Sequence, residues 1–458
     1  MVPIKIAFIG AGSRSFGPAV IRDLLLSEAL VERGVDLVLE DIVPEHLPEN
    51  ERYARWAMEA LGRRIGVTTT TSQEGALEGA DFVIIGLEVD RYKYWSEDFH
   101  IPRKYGFKQV YGENGGPGSM FHALRNMGPL VEIGRQMEQL CPEAWMINFS
   151  NPEQKLCEAV VRLTKAKAVG LCHGVFMGRH QIAQILDRPV ETLATKACGL
   201  NHFTFFQEIK DQETGADLYP ELRRIEAQAS WTTRWHELGL GRMLFRTFGL
   251  WPSPAANHYG EYLRWAPEFM ASELHFYYDA LEGKPWETGK IPEFVYTIDG
   301  LDTYRPWQPE QQTASTVHSE HDDGEQARSE LVPSGELAVP IMEGILFDRE
   351  RLLDAVIVEN QGYIPNLPDG AVVEVPASVD AGGIHPHKMA PLPEALAALM
   401  RTQTSIQQLL VEAFAERSRK KLLQTLLLDP AVDSYKQAVE MMDEMITLQQ
   451  ELLPRFED

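Results

Sequence analysis

Short, uninterrupted apolar runs recur along the first part of the chain, and the first, Ile4 to Ile9, leads directly into Gly10-Ala11-Gly12-Ser13. An apolar run bounded by a turn signal predicts a strand buried on both faces. A helical period begins at Phe16 and continues through Val20, Leu24, Leu25 and Leu30. A second apolar run, Asp36 to Leu39, ends in Glu40-Asp41, and a third covers Asp81 to Leu87 after a helical stretch at Gln73 to Glu78. Ala144 to Phe149 runs into Ser150-Asn151-Pro152, and Lys167 to Leu171 runs into Cys172-His173-Gly174, with a helical connection including Cys157 to Leu163 between them. This alternation predicts an α/β fold whose N-terminal part is a Rossmann-like parallel sheet. Ligands of such sheets bind outside the C-terminal ends of the strands, so the two segments after the last runs should face one cleft.

Beyond Thr195 the pattern is mixed and aromatic as far as Asp369. Its polar stretch, Gln308 to Glu330, predicts a solvated loop or a mobile flap. Pro393 to Leu428 reads as one long helical pattern, and a second runs to Leu453. The expected division is 1–195 as a cofactor-binding domain and 196–458 as an α+β catalytic, substrate-binding and oligomerisation domain. No internal repeat is present.

A length of 458 residues suits two intimately packed domains rather than one. The formal charge of −24 repels phosphate backbones and anionic membranes, which excludes nucleic-acid or membrane binding as the expected role. It leaves a small substrate open, because a pocket can be locally basic. The cysteines Cys141, Cys157, Cys172 and Cys198 form no C-x-x-C pair or disulfide framework. With no apolar run near the ~18–20 residues of a membrane span and no basic-led signal segment, a reducing cytoplasm is the expected location.

The first turn carries the most specific chemistry. Gly10 permits the tight turn, Gly12 lets backbone approach a pyrophosphate, and the helix that follows presents unpaired N–H groups and a positive dipole end. Asp41, at the end of the second strand, is placed to accept the ribose hydroxyls of NAD, whereas the 2′-phosphate of NADP would meet like charge. The cofactor-binding residues expected are Gly10, Gly12, Ser13, Arg14, Ser15, Phe16 and Asp41. Ser15 holds the place of the usual third glycine, and Gly17 comes two places later.

Three polar clusters follow, each with two readings. Cys172-His173 and, after Cys198, Gly199-Leu200-Asn201-His202 offer a thiolate and an imidazole to a borderline metal such as Mn²⁺, Fe²⁺, Co²⁺ or Ni²⁺. Taken alone, Cys172 reads first as a small buried hydrophobe and His202 as a hydrogen-bonded structural residue. Asn151 is suited to a sugar hydroxyl, yet Asn-Pro is also an ordinary turn signal. Asn257 to Tyr262 supplies His258, Glu261 and Tyr262 either as base and hydroxyl-binding groups or as a satisfied buried network.

The order of several longer segments resolves more. IAFIGAGSRSF from Ile6, LVLEDI around Asp41, YGENGGPGSMFHALRN from Tyr111 and INFSNP from Ile147 occur in sequence. GLCHGV from Gly170, GLNH up to His202, HYGEYLRW from His258, SGE from Ser334 and NQGYIPNLPDGAVVEVP from Asn360 complete the series. In this the chain resembles glycoside hydrolase family 4, the NAD- and metal-dependent glycosidases, over most of its length.

The resemblance implies hydrolysis by transient oxidation at sugar C3, loss of the C2 proton, elimination at C1, water addition and re-reduction, without net redox change. It assigns Cys172 and His202 as metal ligands, Mn²⁺ being the expected ion, and Tyr262 as the base near the C2 proton. Asn151 would hold the sugar near C3, with His173, Asn201 and Arg125 as further substrate contacts. Phospho-glucosidases of the family often carry an aspartate five places before the tyrosine. Asn257 stands there in this chain, leaving His258 or Glu261 as the assisting group. The substrate classes implied are a non-phosphorylated α-galactoside first, an α-glucuronide or α-galacturonide next, and a 6-phospho-α-glucoside last. A uronate would need a cation, for which Arg91, Lys93, Arg179 and Arg264 are the candidates. A homodimer or homotetramer is implied. A simple NAD-dependent sugar dehydrogenase shares the first turn but would release stoichiometric NADH, and a non-enzymatic NAD-binding sensor would need no metal-competent pair.

Overall fold

A computed structural model describes residues 2–13, 16–229, 235–269 and 331–457. Arg14, Ser15 and the polar stretch 308–330 lie outside the described residues. The first strands are β1 (Ile4–Ile9), β2 (Val35–Glu40), β3 (Gly66–Thr70), β4 (Phe82–Ile85), β5 (Trp145–Asn148) and β6 (Lys167–Gly170). They pair in parallel in the order β3-β2-β1-β4-β5-β6, the Rossmann arrangement with its switch point between β1 and β4.

The sheet does not stop there. β7 (Leu193–Leu200), β8 (Phe203–Asp211), β9 (Pro252–Ser253), β10 (Arg351–Glu359), β11 (Val372–Asp380) and β12 (Gly383–Pro386) extend it. β10 pairs antiparallel with β6, and the order continues β10-β11-β7-β8-β9, with β12 on β11. One mixed sheet therefore carries both halves of the chain, with β10 and β11 standing between β6 and the β7–β8 hairpin.

The period-2 side-chain alternation sorts β1 between two layers. Ile4, Ile6 and Phe8 join Val20, Leu24 and Tyr53 on one face, whereas Ala7 and Ile9 join Met120, Leu124, Leu410 and Met441 on the other. Periodicity does not announce the helix Gly116–Leu140, because it opens on Gly116-Pro117-Gly118, contains Pro129 and is buried almost all round its first half. The single long helix expected over Pro393–Leu428 is instead two, Glu394–Glu416 and Arg419–Leu428. Arg417 takes a left-handed conformation (φ 55°) and Ser418 caps the second helix through Lys421 N–H, so the polar run there breaks the helix that the apolar pattern would have continued. Among the described residues no helix is long and apolar enough to cross a membrane.

Gly10 fixes where β1 hands over to its helix. Its φ is +79°, and a Cβ there would lie 2.7 Å from the backbone of Gly86 and Leu87 at the end of β4. Gly10→Ala is expected to lower stability by about 1–3 kcal/mol, since both the backbone conformation and the strand-end contact must give. Thermal unfolding checks this, and an unchanged midpoint would contradict the turn geometry.

Candidate active site

The turn after β1 is built without side chains where a ligand backbone would approach. Gly12 N–H donates to Asp41 Oδ2 at 2.9 Å, and a Cβ on Gly12 would sit 2.5 Å from that oxygen. Val43 N–H donates to the other carboxylate oxygen at 2.9 Å, so Asp41 is held at the end of β2, facing the glycine turn. The Asn50 amide donates to Ala11 O at 2.5 Å and Ser13 O at 3.1 Å, pinning the turn from the helix Leu47–Leu61. Gly17 makes that possible: a Cβ there would lie 2.6 Å from Asn50 Cγ. The displaced third glycine thus permits close packing against Asn50 in this chain. Ser13 Oγ accepts from Phe16 N–H at 3.1 Å, opening the helix Phe16–Leu26. The Phe16 ring stacks on Phe149 with centroids 5.0 Å apart, which joins this turn to the end of β5. A Cβ-free cradle, a helix N-terminus and a strand-end carboxylate fit a dinucleotide.

On the other side of the β5 end, Cys172 follows β6 and its sulfur accepts from Gly174 N–H at 3.4 Å. Asn201 and His202 form the tight turn of the β7–β8 hairpin, with His202 at φ 62°. Glycine would hold that backbone at lower cost, so what the position gains from histidine is its imidazole. Asn201 N–H donates to Gln154 Oε1 at 2.9 Å, and Gln154 in turn donates to Val372 O, tying the turn to β11. The Tyr262 hydroxyl donates to Asn201 O at 3.2 Å, and its ring stacks on Phe203 at 5.3 Å. His258 meets the His202 ring edge to face at 4.5 Å, and its Nδ1 lies 2.7 Å from Asn257 Oδ1.

Charge in this cluster is poorly solvated. Burial pushes the Cys172 thiol well above its ordinary range, and the carboxylates Glu374 and Glu153 push it further. Burial, the neighbouring Glu261 and then Cys172 hold the Tyr262 phenol well above the usual value. Burial and His258 keep His202 neutral, with its Nδ1 buried and without a hydrogen-bond partner among the described residues. The side-chain amide of Asn201 is likewise buried, against Cys172 and Glu374. A sulfur, a neutral imidazole and an acidic surround fit a borderline divalent cation, whose charge would reverse the shifts of the thiol and the phenol. Among the described residues no three His, Cys, Asp or Glu side chains are arranged to hold a metal, so this pair would need substrate oxygens or water to complete a shell.

Other expected site residues stand differently. Glu261 is buried, and its two carboxylate oxygens accept from Glu113 N–H at 2.8 Å and Asn114 N–H at 3.0 Å, which shapes the glycine-rich segment. Burial and Glu113 push its pKa up to about 8. Asn151 presents its carbonyl to the Asn126 amide at 3.2 Å. His173 Nδ1 lies 2.9 Å from Glu336 Oε1. Arg125 is held in a bidentate pair with Asp98, at 2.9 and 2.6 Å, and also donates to Gln449 at 2.8 Å. Both members of that pair are fully buried, so Arg125→Leu is expected to cost about 3–5 kcal/mol by stranding Asp98. A variant that keeps its unfolding midpoint but loses sugar affinity would contradict this structural role.

Periodicity alone misses Glu113, Lys155 and Glu374. Lys155 is buried and donates to Asn114 O, and burial brings its pKa down to about 8. Glu374 accepts from Thr204 Oγ1 at 3.0 Å and is pushed up to about 7 by burial. Its only signal is a lone carboxylate among the valines of β11.

The comparisons agree over the whole chain. The model of the family 4 glycosyl hydrolases matches residues 5–188, and that of the family 4 glycosyl hydrolase C-terminal domain matches residues 197–432. The chain is 31% identical to an α-glucosidase of Erwinia rhapontici, covering 97% of this chain and 98% of that protein. It is 30% identical to an α-galactosidase of Bacillus subtilis (strain 168), with 99% of each covered. A crystal structure of a 6-phospho-α-glucosidase from gut microorganisms, in complex with NAD and Mn²⁺, shares the fold at a TM-score of 0.74 and 23% identity, with 100% of both chains covered. The chain is an enzyme that belongs to family 4 of the glycosyl hydrolases.

Proposed function

We propose that this enzyme hydrolyses a neutral α-glycoside, an α-galactoside first, using NAD and a divalent cation, Mn²⁺ by preference. The observation that carries this is the joining of Tyr262, Asn201 and Cys172 in one buried cluster at the β6 end, with the glycine turn of β1 linked to the neighbouring β5 end through Phe16 and Phe149. When bound, NAD supplies a reversible hydride acceptor and the cation a Lewis acid for the oxygens of the sugar. The chain's own part is acid–base and positional. The Tyr262 hydroxyl is the group aimed to take the proton from sugar C2, and Asn201 O fixes its direction. Asn151 and Asn201 orient the ring hydroxyls, and Cys172 and His202 are the residues that would hold the cation. His258 stands against His202 on the outer side, suited to a proton at the leaving oxygen, whereas the Glu261 carboxylate is engaged by the 113–114 backbone. The 1–195 and 196–458 division is part of the same reading.

The charges near the cluster favour an uncharged glycone. Arg264 pairs with Asp433 at 3.0 Å on the surface, and Arg179 pairs with Asp354 at 3.2 Å. Arg91 is already matched by Glu88 at 3.2 Å and Glu113 at 2.6 Å. Three of the four cations considered for a uronate are thus matched by carboxylates, and the fourth, Lys93, lies over the Tyr94 ring with its ammonium 4.8 Å from the centroid. The α-glucosidase relative supports an α-glucoside as the second reading. The test is release of p-nitrophenol from α-galactoside, α-glucoside, α-glucuronide and α-galacturonide with NAD⁺, Mn²⁺ and a reductant, each omitted in turn. Turnover of the galactoside that needs both additions and leaves no net NADH is expected. NADH formation from free sugar without glycoside turnover would overturn it in favour of a dehydrogenase.

A further inference from the structure

A chain of hydrogen bonds leads from the helix behind the glycine turn to the residue beside Cys172. Asp23, in the helix Phe16–Leu26, accepts from Ser334 N–H at 2.9 Å and from the Ser334 hydroxyl. Ser334 Oγ accepts from Glu336 N–H at 3.0 Å, and Glu336 Oε1 meets His173 Nδ1 at 2.9 Å. Between them Gly335 takes φ +83°, and a Cβ there would come 3.4 Å from His173 Nε2, so its backbone lies against the imidazole. A second seat fastens the same segment to the cofactor side, for Ser27 Oγ donates to Glu343 Oε1 at 2.6 Å. Asp23 is largely buried on a helix whose first turn borders the expected pyrophosphate seat, so the irregular 334–336 segment, which leads into the helix Ala338–Phe347, is fastened to the cofactor helix.

We propose that Asp23, Ser334 and Glu336 are positioning residues that set His173 against the glycone and thereby couple sugar binding to cofactor binding. The proposal rests on reading the Cys172-His173 turn as the sugar site. A shift of the Phe16–Leu26 helix on cofactor binding is transmitted by Ser334 to Glu336, which fixes the direction of the His173 ring. Coupling of this kind is reciprocal, so a bound sugar must tighten NAD⁺ by the factor by which NAD⁺ tightens the sugar.

The test uses the full chain with Mn²⁺ and the S334A, S334T and E336Q variants. The dissociation constant of NAD⁺ is measured by calorimetry with and without saturating galactose, or the free sugar of whichever panel glycoside the wild type turns over. The wild type is expected to bind NAD⁺ about 5-fold or more tightly with sugar present. In S334A and E336Q that ratio falls toward 1 and KM for the glycoside rises about 10-fold, while kcat and the affinity for NAD⁺ alone change little. S334T, which keeps the hydroxyl, retains the ratio. E336Q preserves side-chain volume and keeps the question open to measurement should S334A fail to fold. An unchanged ratio in E336Q, or a wild-type ratio of 1 in an enzyme that hydrolyses the glycoside, overturns the coupling alone. Absence of turnover on every panel member removes the glycosidase reading and this proposal with it.

Discussion

Cys172→Ser and His202→Ala are each expected to lower kcat/KM for the glycoside by about 10³-fold or more, the scale on which loss of a Lewis acid raises a barrier by several kcal/mol. Both residues sit where their own chemistry is uncomfortable. The thiol is buried beside Glu374 and Glu153, which disfavour its ionised form. The imidazole is held neutral on a left-handed backbone, its Nδ1 without a partner among the described residues. Such an arrangement is costly as plain core, and a cation at this pair would relieve it. Measuring kcat/KM alongside bound Mn²⁺ in the purified variants checks the point. Loss of both together is the expected result, and a serine variant within tenfold of the wild type would contradict it.

Tyr262→Phe is expected to lower kcat by about 10²–10⁴-fold, the range for removal of a general base, while leaving NAD⁺ affinity unchanged. Among the described residues the hydroxyl makes one hydrogen bond, to Asn201 O at 3.2 Å, and the ring keeps its stacking on Phe203, so the fold should lose only about 1 kcal/mol. The phenol is held well above its ordinary range by burial and then by Glu261, which makes it a neutral donor in the protein by itself. Single-turnover rates compared with the unfolding midpoint separate chemistry from stability. A fall in stability that matched the fall in rate would demote Tyr262 to a core residue.

How much of this was legible in the sequence depends on the kind of contact involved. β1, its glycine turn, the Phe16 helix and Asp41 are local, written in apolar runs and Gly10-Ala-Gly12, and the structure places them as expected. Cys172 and His202 were legible as donor types following strands. Their surroundings were not, because Glu374 and Glu153 beside Cys172, and His258 beside His202, are brought there by tertiary packing. Gly17 looked like a misplaced third glycine until Asn50, far along the chain, was seen against it. Arg125 was legible as a cation beside the glycine-rich segment, either a binding or a salt-bridge residue, because a positive charge carries no mark of its partner. Asp98 and Gln449, brought to it by tertiary packing, define its setting. The same limit hid the partner of Glu336, since His173 lies 163 residues earlier.

The central claim is that the glycosidic bond breaks after a proton leaves sugar C2 to Tyr262, rather than by displacement at C1. Hydrolysis of the α-galactoside in deuterated water, stopped early and followed by mass spectrometry and proton NMR of the released galactose, tests it most directly. Deuterium at C2 of the released sugar, with free galactose remaining unlabelled over the same interval, is the predicted result. Released galactose that keeps its original hydrogen at C2 through complete turnover would contradict it.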